Sequence, residues 1–336
     1  MSPQFVDFDA DGKLDIVAGI FDGSPHLARG DGKSWAAPEQ ILDRDGARIV
    51  MNQFWNFDSK QWDSTKRCDG PHCGDAEGHL TSAIAFDVDG DGDFDLLLGD
   101  HSTGRIMVRA NEGTNAQPLF AAKNALLLAD GKPTDVPGTV ATLRLFDWNS
   151  DGRLDLLAGS MGDPYGDGPG GGVFVFANVG TGKAGEFGAM TTLIPPSPKG
   201  AIDEPSRPDV GLYLDAADAD GDGDPDLIVG GYSMWAPKVA PLTDEQKARV
   251  EALHGDLGKL EIEMQALNAA LPKPKAKADG ELDMEPYKAA IAGQKDARQK
   301  IAAARRPLDE ELDKLEPKAQ RKSFVWLYTN TSAVLR

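Results

Sequence analysis

Four nine-residue stretches of this 336-residue chain carry aspartate at fixed intervals: DFDADGKLD (7–15), DVDGDGDFD (87–95), DWNSDGRLD (147–155) and DADGDGDPD (218–226). In the second, Asp87, Asp89 and Asp91 stand at positions 1, 3 and 5. Gly92 at position 6 permits a sharp turn, position 7 can offer its backbone carbonyl, and Asp95 closes the ring at position 9. Oxygen ligands at alternating positions around a glycine turn make the hard, multi-oxygen cage that Ca²⁺ prefers, whereas Mg²⁺ keeps its waters and demands tighter octahedral geometry. An EF-hand shares positions 1 to 6 but needs a glutamate at position 12 and flanking helices. Here the last acid stands at position 9 and the flanks read as strands, so that loop type is excluded. The plainer alternative is a set of solvated acidic turns without metal. So many carboxylates held together without a cation would repel one another with nothing nearby to offset the cost.

The elements that must position these loops repeat with them. Each loop runs at once into a short apolar segment: IVAG, LLLG, LLAG or LIVG. Another apolar stretch precedes it, such as 83–86 or 143–146. Such runs bounded by glycine read as buried strands. Downstream, GRIMVRANEGT (104–114) and GGVFVFANVGT (171–181) each read as a strand ending in an Asn-x-Gly-Thr turn, and SPHLARGDGK (24–33) fills that place in the first unit. EQILDRDG, ALLLADG and TTLIPPSPKG then supply an outer strand. One unit is therefore strand, Asp loop, strand, strand, outer strand, with loops 80, 60 and 71 residues apart. Four strands per repeat describe propeller blades. The predicted fold is an all-β propeller with four visible blades, the repeats covering about 1–80, 81–140, 141–211, and 212–237 with 323–336.

The fourth repeat is interrupted. After LIVGGYSMWAP (227–237) its third strand arrives only as SFVWLYTNT (323–331). The intervening 238–322 is predicted to be an inserted antiparallel α-helical coiled-coil hairpin, which leaves the blade and returns to it. Thr243 with Gln246 makes a capping-box start. Val250, Leu253, Leu257, Leu260, Met264, Leu267 and Leu271 form a heptad seam. LPKPKAKADG (271–280) breaks the first helix. A second helical stretch, 284–315, places Tyr287, Ile291, Ile301, Leu308, Leu312 and Leu315 at its apolar positions; Gln294 and Arg298 interrupt the seam, and Pro307 should kink or restart the helix.

The loops in this strand context resemble the FG-GAP/VCBS-type repeat, which is similar to the calcium loops of integrin α-subunit propellers. The resemblance covers about 250 residues, all but the helical insertion. It implies that the loop joins the first two strands of a blade, with side-chain oxygens from positions 1, 3, 5 and 9 and a carbonyl from position 7. The implied ligands are Asp7, Asp9, Asp11 and Asp15; Asp87, Asp89, Asp91 and Asp95; Asp147, Asn149, Asp151 and Asp155; and Asp218, Asp220, Asp222 and Asp226. Lys13, Asp93, Arg153 and Asp224 are the implied carbonyl donors. About four Ca²⁺ ions, one per loop, are expected, with weaker binding at the third loop, where Asn149 removes a charge.

Charge agrees with this reading. The formal charge is −19, and the loops hold 4, 5, 3 and 5 Asp, 17 in all; without them the charge is −19 + 17 = −2, and four Ca²⁺ would bring −19 to −11. So acidic a chain is a poor partner for nucleic acid, and no apolar run reaches the ~18–20 residues of a membrane span. Cys68 and Cys73, in CDGPHC, suit a small disulfide and an oxidising compartment. A metal site with His72 and His79 is the alternative, although the spacing is not a common zinc spacing. The chain begins inside its first repeat, so any export signal is expected upstream, and the predicted location is extracellular, periplasmic or cell-surface.

The remaining candidates are fewer. NQFWNFDSKQW (52–62) offers Phe54, Trp55, Phe57 and Trp62. Packing over the first blade is the favoured expectation, and Phe54, Trp55 and Trp62 as a sugar-stacking surface the alternative. GDPYGDGPGGG (162–172) lacks the Lys-Ser/Thr ending of a phosphate loop and reads as a hairpin connection, with Asp163 and Asp167 as a further candidate cation pair. His101, beside Asp100 and Arg105, reads as a surface histidine before a general base. No Ser/His/Asp or Cys/His constellation stands out. The expected function is a non-enzymatic binding or adhesion scaffold, Ca²⁺ being structural, with a protein or glycan ligand. The alternatives are a polysaccharide lyase or hydrolase using the propeller face, and a structural protein that self-associates through the helical hairpin.

Overall fold

The structure is a computed structural model and describes residues 3–64, 78–139, 141–163, 168–181, 184–197, 204–273, 275–276 and 282–331. Cys68, Cys73, His72 and Asp167 lie outside these residues. The chain divides into two compact units, one of residues 1–234 with 321–336 and one of 235–320.

The first unit is built of sheets. Strands β1 (Gln4–Val6), β2 (Asp15–Gly19), β3 (Pro25–Ala28) and β4 (Glu39–Gln40) form the first sheet in that order. A two-stranded hairpin, β5 (Gln53–Asn56) and β6 (Gln61–Ser64), follows. The second sheet holds β7 (Leu80–Phe86), β8 (Asp95–Asp100), β9 (Ile106–Arg109) and β10 (Ala125–Leu126). Next come β11 (Leu128–Ala129), β12 (Lys132–Pro133), β13 (Thr142–Phe146), β14 (Asp155–Gly159), β15 (Val173–Asn178) and β16 (Phe187–Ile194), which make one six-stranded sheet ordered β12-β11-β16-β15-β14-β13. The fourth sheet is β17 (Val210–Ala217), β18 (Asp226–Trp235) and, after the second unit, β21 (Gln320–Tyr328). No sheet closes on itself among the described residues.

Strand alternation explains how these sheets pack. Along β8, Leu96 and Leu98 join the core between the first and second sheets, while Leu97 joins the core between the second and third. Along β14, Leu156 and Ala158 face the second sheet and Leu157 the fourth. Period-2 geometry thus requires an uninterrupted apolar run wherever both faces are covered, which is why LLLG and LLAG lack polar alternation. Successive sheets approach through the ends of their second strands. A β-carbon on Gly99 would stand 2.2 Å from Ala141 O, and one on Gly159 2.2 Å from Leu212 O. Only glycine allows that backbone approach.

The outer strand of the second repeat departs from expectation. ALLLADG does not form one edge strand: Ala125–Leu126 pair with β9, but Leu128–Ala129 pair with β12 and, in parallel, with β16 of the next sheet. Leu127 sits between them with its side chain buried in the second core. The segment crosses from one sheet to the next because its apolar side chain is needed in the gap.

The second unit contains helices α1 (Asp244–Ala269), α2 (Glu285–Gly293) and α3 (Lys295–Leu315) and the short pair β19 (Lys275–Ala276) and β20 (Leu282–Asp283). Thr243 caps α1 through the expected capping box with Gln246. Cross-helix pairs run antiparallel: Arg249 with Glu311, Glu261 with Arg305, and Asn268 with Arg298. The core of the pair is Val250, Leu253 and Leu312, with Leu242, Leu257, Leu308 and Leu315 packed against it. The second helical stretch breaks at Gln294 rather than at Pro307, which α3 carries internally. Gln294 is held by other partners: its amide donates to Leu267 O at 2.9 Å, and its Oε1 accepts from Arg298 Nε at 3.1 Å.

Candidate metal centres

All four Asp loops join the first and second strands of a sheet: β1 to β2, β7 to β8, β13 to β14 and β17 to β18. Their backbones share an unusual feature. Positions 4 and 6 are both left-handed, with φ of 59° and 86° at Ala10 and Gly12, 81° and 100° at Gly90 and Gly92, 57° and 84° at Ser150 and Gly152, and 81° and 94° at Gly221 and Gly223. Glycine tolerates this conformation freely, whereas Ala10 and Ser150 adopt it at a cost of about 1–2 kcal/mol each.

The first aspartate of each loop holds that shape. Its Oδ2 accepts the position-6 N–H at 2.9–3.2 Å: Gly12 to Asp7, Gly92 to Asp87, Gly152 to Asp147 and Gly223 to Asp218. The fifth residue accepts the N–H of the seventh, with Lys13 on Asp11, Asp93 on Asp91, Arg153 on Asp151 and Asp224 on Asp222. The result is that side chains 1, 3 and 5 converge. Oxygens of Asp7, Asp9 and Asp11, of Asp87, Asp89 and Asp91, and of Asp218, Asp220 and Asp222 lie within 4.8 Å of one another in each set. In the third loop Asn149 occupies position 3, and its Oδ1 accepts the Asp151 N–H at 3.0 Å.

The ninth aspartate is placed differently. Asp15, Asp95, Asp155 and Asp226 are almost fully buried, and each turns both oxygens to backbone N–H groups. Oδ2 accepts from position 2 of its own loop: Phe8, Val88, Trp148 and Ala219, at 2.9–3.1 Å. Oδ1 accepts from the residue just beyond the third strand or at its end: Gly30, Asn111, Asn178 and Asn330, at 2.7–2.8 Å. One buried carboxylate thus ties the loop to the third strand in every sheet. Burial pushes the Asp95 carboxyl up to about 6, against the two backbone N–H groups that favour its charge, and burial also raises that of Asp155.

Sequence reasoning missed the third-strand partners. A signal was present in the Asn-x-Gly turns: Asn111 Oδ1 accepts from Gly113 N and Leu119 N, and Asn178 Oδ1 from Gly180 N. Those side-chain turns fix the peptide that faces the ninth aspartate.

The donor set fits a hard divalent cation. It consists of oxygens, and Asp9 Oδ1, Asp93 Oδ1 and Asp224 Oδ1 are buried without a hydrogen bond of good geometry. Such buried orphans are rare unless something else meets them.

The other candidate residues lie at the opposite strand ends from the loops. Trp55 and Trp62 are cross-strand partners on the β5–β6 hairpin, with ring centroids 5.9 Å apart. Trp62 also contacts Phe21 edge-on and His79 at 4.7 Å, and His79 stacks on His101 at 4.3 Å. Phe54 lies under the Arg48 guanidinium, 5.1 Å from its ring centre. Arg48 in turn donates to Trp55 O and Asp22 O, which ties the hairpin to the turn after β2. Arg105 pairs with Asp135 at 2.9 Å. Asp163 accepts the Gly168 N–H at 3.0 Å.

The FG-GAP-like repeat family matches residues 87–158 and 147–229, which span the second, third and fourth loops, so this part of the chain carries FG-GAP-like repeats. No curated protein matches it. Among solved structures it is similar to "Bacillus licheniformis Rhamnogalacturonan Lyase PL11", with 15% identity and a TM-score of 0.26 over 67% of this chain; the match spans 40% of that chain. Among the described residues no helix is long and apolar enough to cross a membrane.

Proposed function

We propose that this chain is a calcium-stabilised, extracytoplasmic scaffold that binds a protein or glycan partner, with its sheets arranged as propeller blades and its cations structural. The observation that carries the reading is the double attachment of every Asp loop. Carboxylates 1, 3 and 5 converge in loops 7–15, 87–95 and 218–226, while the buried ninth aspartate fastens each of the four loops to the third strand. A carboxylate has about four lone-pair sites, so Asp15, Asp95, Asp155 and Asp226 can take two N–H groups and still face a cation. With those four go Asp7, Asp9 and Asp11; Asp87, Asp89 and Asp91; Asp147, Asn149 and Asp151; and Asp218, Asp220 and Asp222.

Bound Ca²⁺ would supply positive charge to the converging oxygens and thereby fix the connection between the first and second strands. It binds the folded loop and not the open chain, so it adds stability by linkage, about 2.7 kcal/mol per site at a hundredfold excess over Kd. Extracellular modules typically bind with Kd ~10⁻⁴–10⁻³ M, a range that suits permanent occupancy outside the cytoplasm. The blade arrangement is supported by the serial packing of four sheets through their glycine-ended second strands.

The test is a thermal melt of the full chain in millimolar Ca²⁺ and in chelator. The melting temperature of the sheet unit should fall on chelation and return with added Ca²⁺, and return less with Mg²⁺. An unchanged melting temperature would sink the proposal.

A further inference from the structure

The four loops share a frame but not a charge state. Loops 87–95 and 218–226 each carry five aspartates and no basic residue, a formal charge of −5. Among the described residues no lysine or arginine pairs with any of these aspartates. In loop 7–15 the seventh residue is Lys13, whose Nζ lies 2.8 Å from Asp11 Oδ2, and Arg29 reaches in from just beyond β3 to Asp9. Four aspartates less two cations leave −2. In loop 147–155 the seventh residue is Arg153, whose guanidinium pairs with Asp151 and donates through Nε to Asn178 O. Three aspartates less one cation also leave −2.

The seventh side chain of the two acidic loops is not solvated. Asp93 is 7% exposed and Asp224 6% exposed, and the Oδ1 of each makes no hydrogen bond of good geometry. The charges around Asp93 are Asp91, Asp89 and Asp87, with the Asn111 amide as a weaker, opposing neighbour. Those around Asp224 are Asp222, Asp226 and Asp220, and its carboxylate contacts that of Asp222. Two buried anions therefore face their own acidic loops, where a carboxylate without a partner is costly. The backbones sort the same way. The first aspartate's Oδ1 accepts from position 4 in the acidic pair (Gly90, Gly221) and from position 5 in the other pair (Asp11, Asp151).

We propose that the seventh residue divides the loops into two kinds: Asp93 and Asp224 add a fifth carboxylate that makes 87–95 and 218–226 the tight sites for a hard divalent cation, whereas Lys13 and Arg153 are tethered cations that make 7–15 and 147–155 weak ones. This rests on the calcium reading above and deepens it, because a residue expected to offer only its carbonyl sets the affinity through its side chain. It also ranks loop 7–15 with the third loop, although its carboxylate triplet is complete.

The experiment is calorimetric titration of the full, chelator-stripped chain with CaCl₂. Two tight and two weaker sites are expected, separated by about tenfold or more in Kd, since ligand charge count tunes such loops. The double variant Asp93→Asn, Asp224→Asn should weaken the tight class by about tenfold and leave the weak class in place. The opposite double variant, Lys13→Gln with Arg153→Gln, should tighten the weak class and leave the tight class alone. Unchanged far-UV spectra would show that either variant still folds. Four equal sites in the parent chain, or a tight class that survives both asparagines, would overturn the inference while leaving calcium binding intact. Absence of any Ca²⁺ binding would remove the calcium reading and this inference together.

Discussion

The sheet unit and the helical unit handle charge in opposite ways. In the sheets, several ionised groups are buried and hydrogen-bonded one by one. Arg109 is fully buried and donates to Asn124 Oδ1 and Ala121 O at 2.7 Å, and Asp95, Asp155 and Asp226 each take two backbone N–H groups. In the helices, charge stays on the surface as pairs such as Arg249 with Glu311 and Arg305 with Glu261, around a core whose buried apolar residues are Val250, Leu253, Ile301 and Leu312 among the described residues. Exposed pairs of that kind contribute little, because water competes and salt screens them. A buried carboxylate instead leaves its donors stranded when it is removed. The sheet unit should therefore be sensitive to single charges and the helical unit to single methyl groups.

The largest expected effect is at a ninth aspartate. Asp95→Ala strands the N–H groups of Val88 and Asn111, which now donate to its two oxygens. Each buried, unmet donor costs ~1–3 kcal/mol, so a loss of about 4 kcal/mol is expected in chelator, where metal ligation plays no part. Asp95→Asn, which keeps one acceptor, should lose about half as much. Urea unfolding followed by tryptophan fluorescence measures it. A loss under ~1 kcal/mol, or an equal loss in the helical far-UV signal, would break the contrast between the units.

How far this organisation was legible in the sequence depended on distance along the chain. The loops could be read because every group that shapes them lies within nine residues, and the second strands because burial on both faces leaves runs such as Leu96, Leu97 and Leu98. The capping box at Thr243 and Gln246 is equally local. What escaped was non-local. Asp226 was expected as a ligand from its place in the loop, but its bond to Asn330 spans 104 residues and the whole helical unit. Leu127 read as part of one outer strand, whereas its burial between two sheets splits that segment. Pro307 read as a kink or restart, yet α3 continues through it and the break falls at Gln294, whose side chain is claimed by Leu267 and Arg298.

The next effect tests the helical side of the comparison. Leu253 is fully buried against Val250 and Leu312. Leu253→Ala removes that packing, and large-to-small changes in a core cost ~2–5 kcal/mol; a core this small should relax, which places the loss near the lower end, about 2–3 kcal/mol. The helical far-UV transition should move to lower temperature while the fluorescence transition of the sheets stays in place. Coincident shifts of both transitions would mean that the two units unfold as one.

The smallest expected effect is a pH dependence confined to the sheets. Burial, and then the neighbouring His101, push His79 down from the ordinary 6.5 to about 4. The folded sheet unit thus keeps the ring neutral where the unfolded chain already binds a proton. Stability from this group is present above about 6.5 and is lost progressively as the pH falls toward about 4. A single proton on a half-exposed ring makes the loss modest. In the helical unit His254 is exposed, with Nε2 3.2 Å from Glu316. Carboxylates titrate in the same range, so the informative quantity is the difference between the parent chain and His79→Gln across this window. The variant should lose less sheet stability on acidification, and the helical transition should not distinguish the two. Parallel profiles for parent and variant would show that the stacked imidazoles carry no part of the acid sensitivity, and would leave the buried carboxylates of the sheets to account for it.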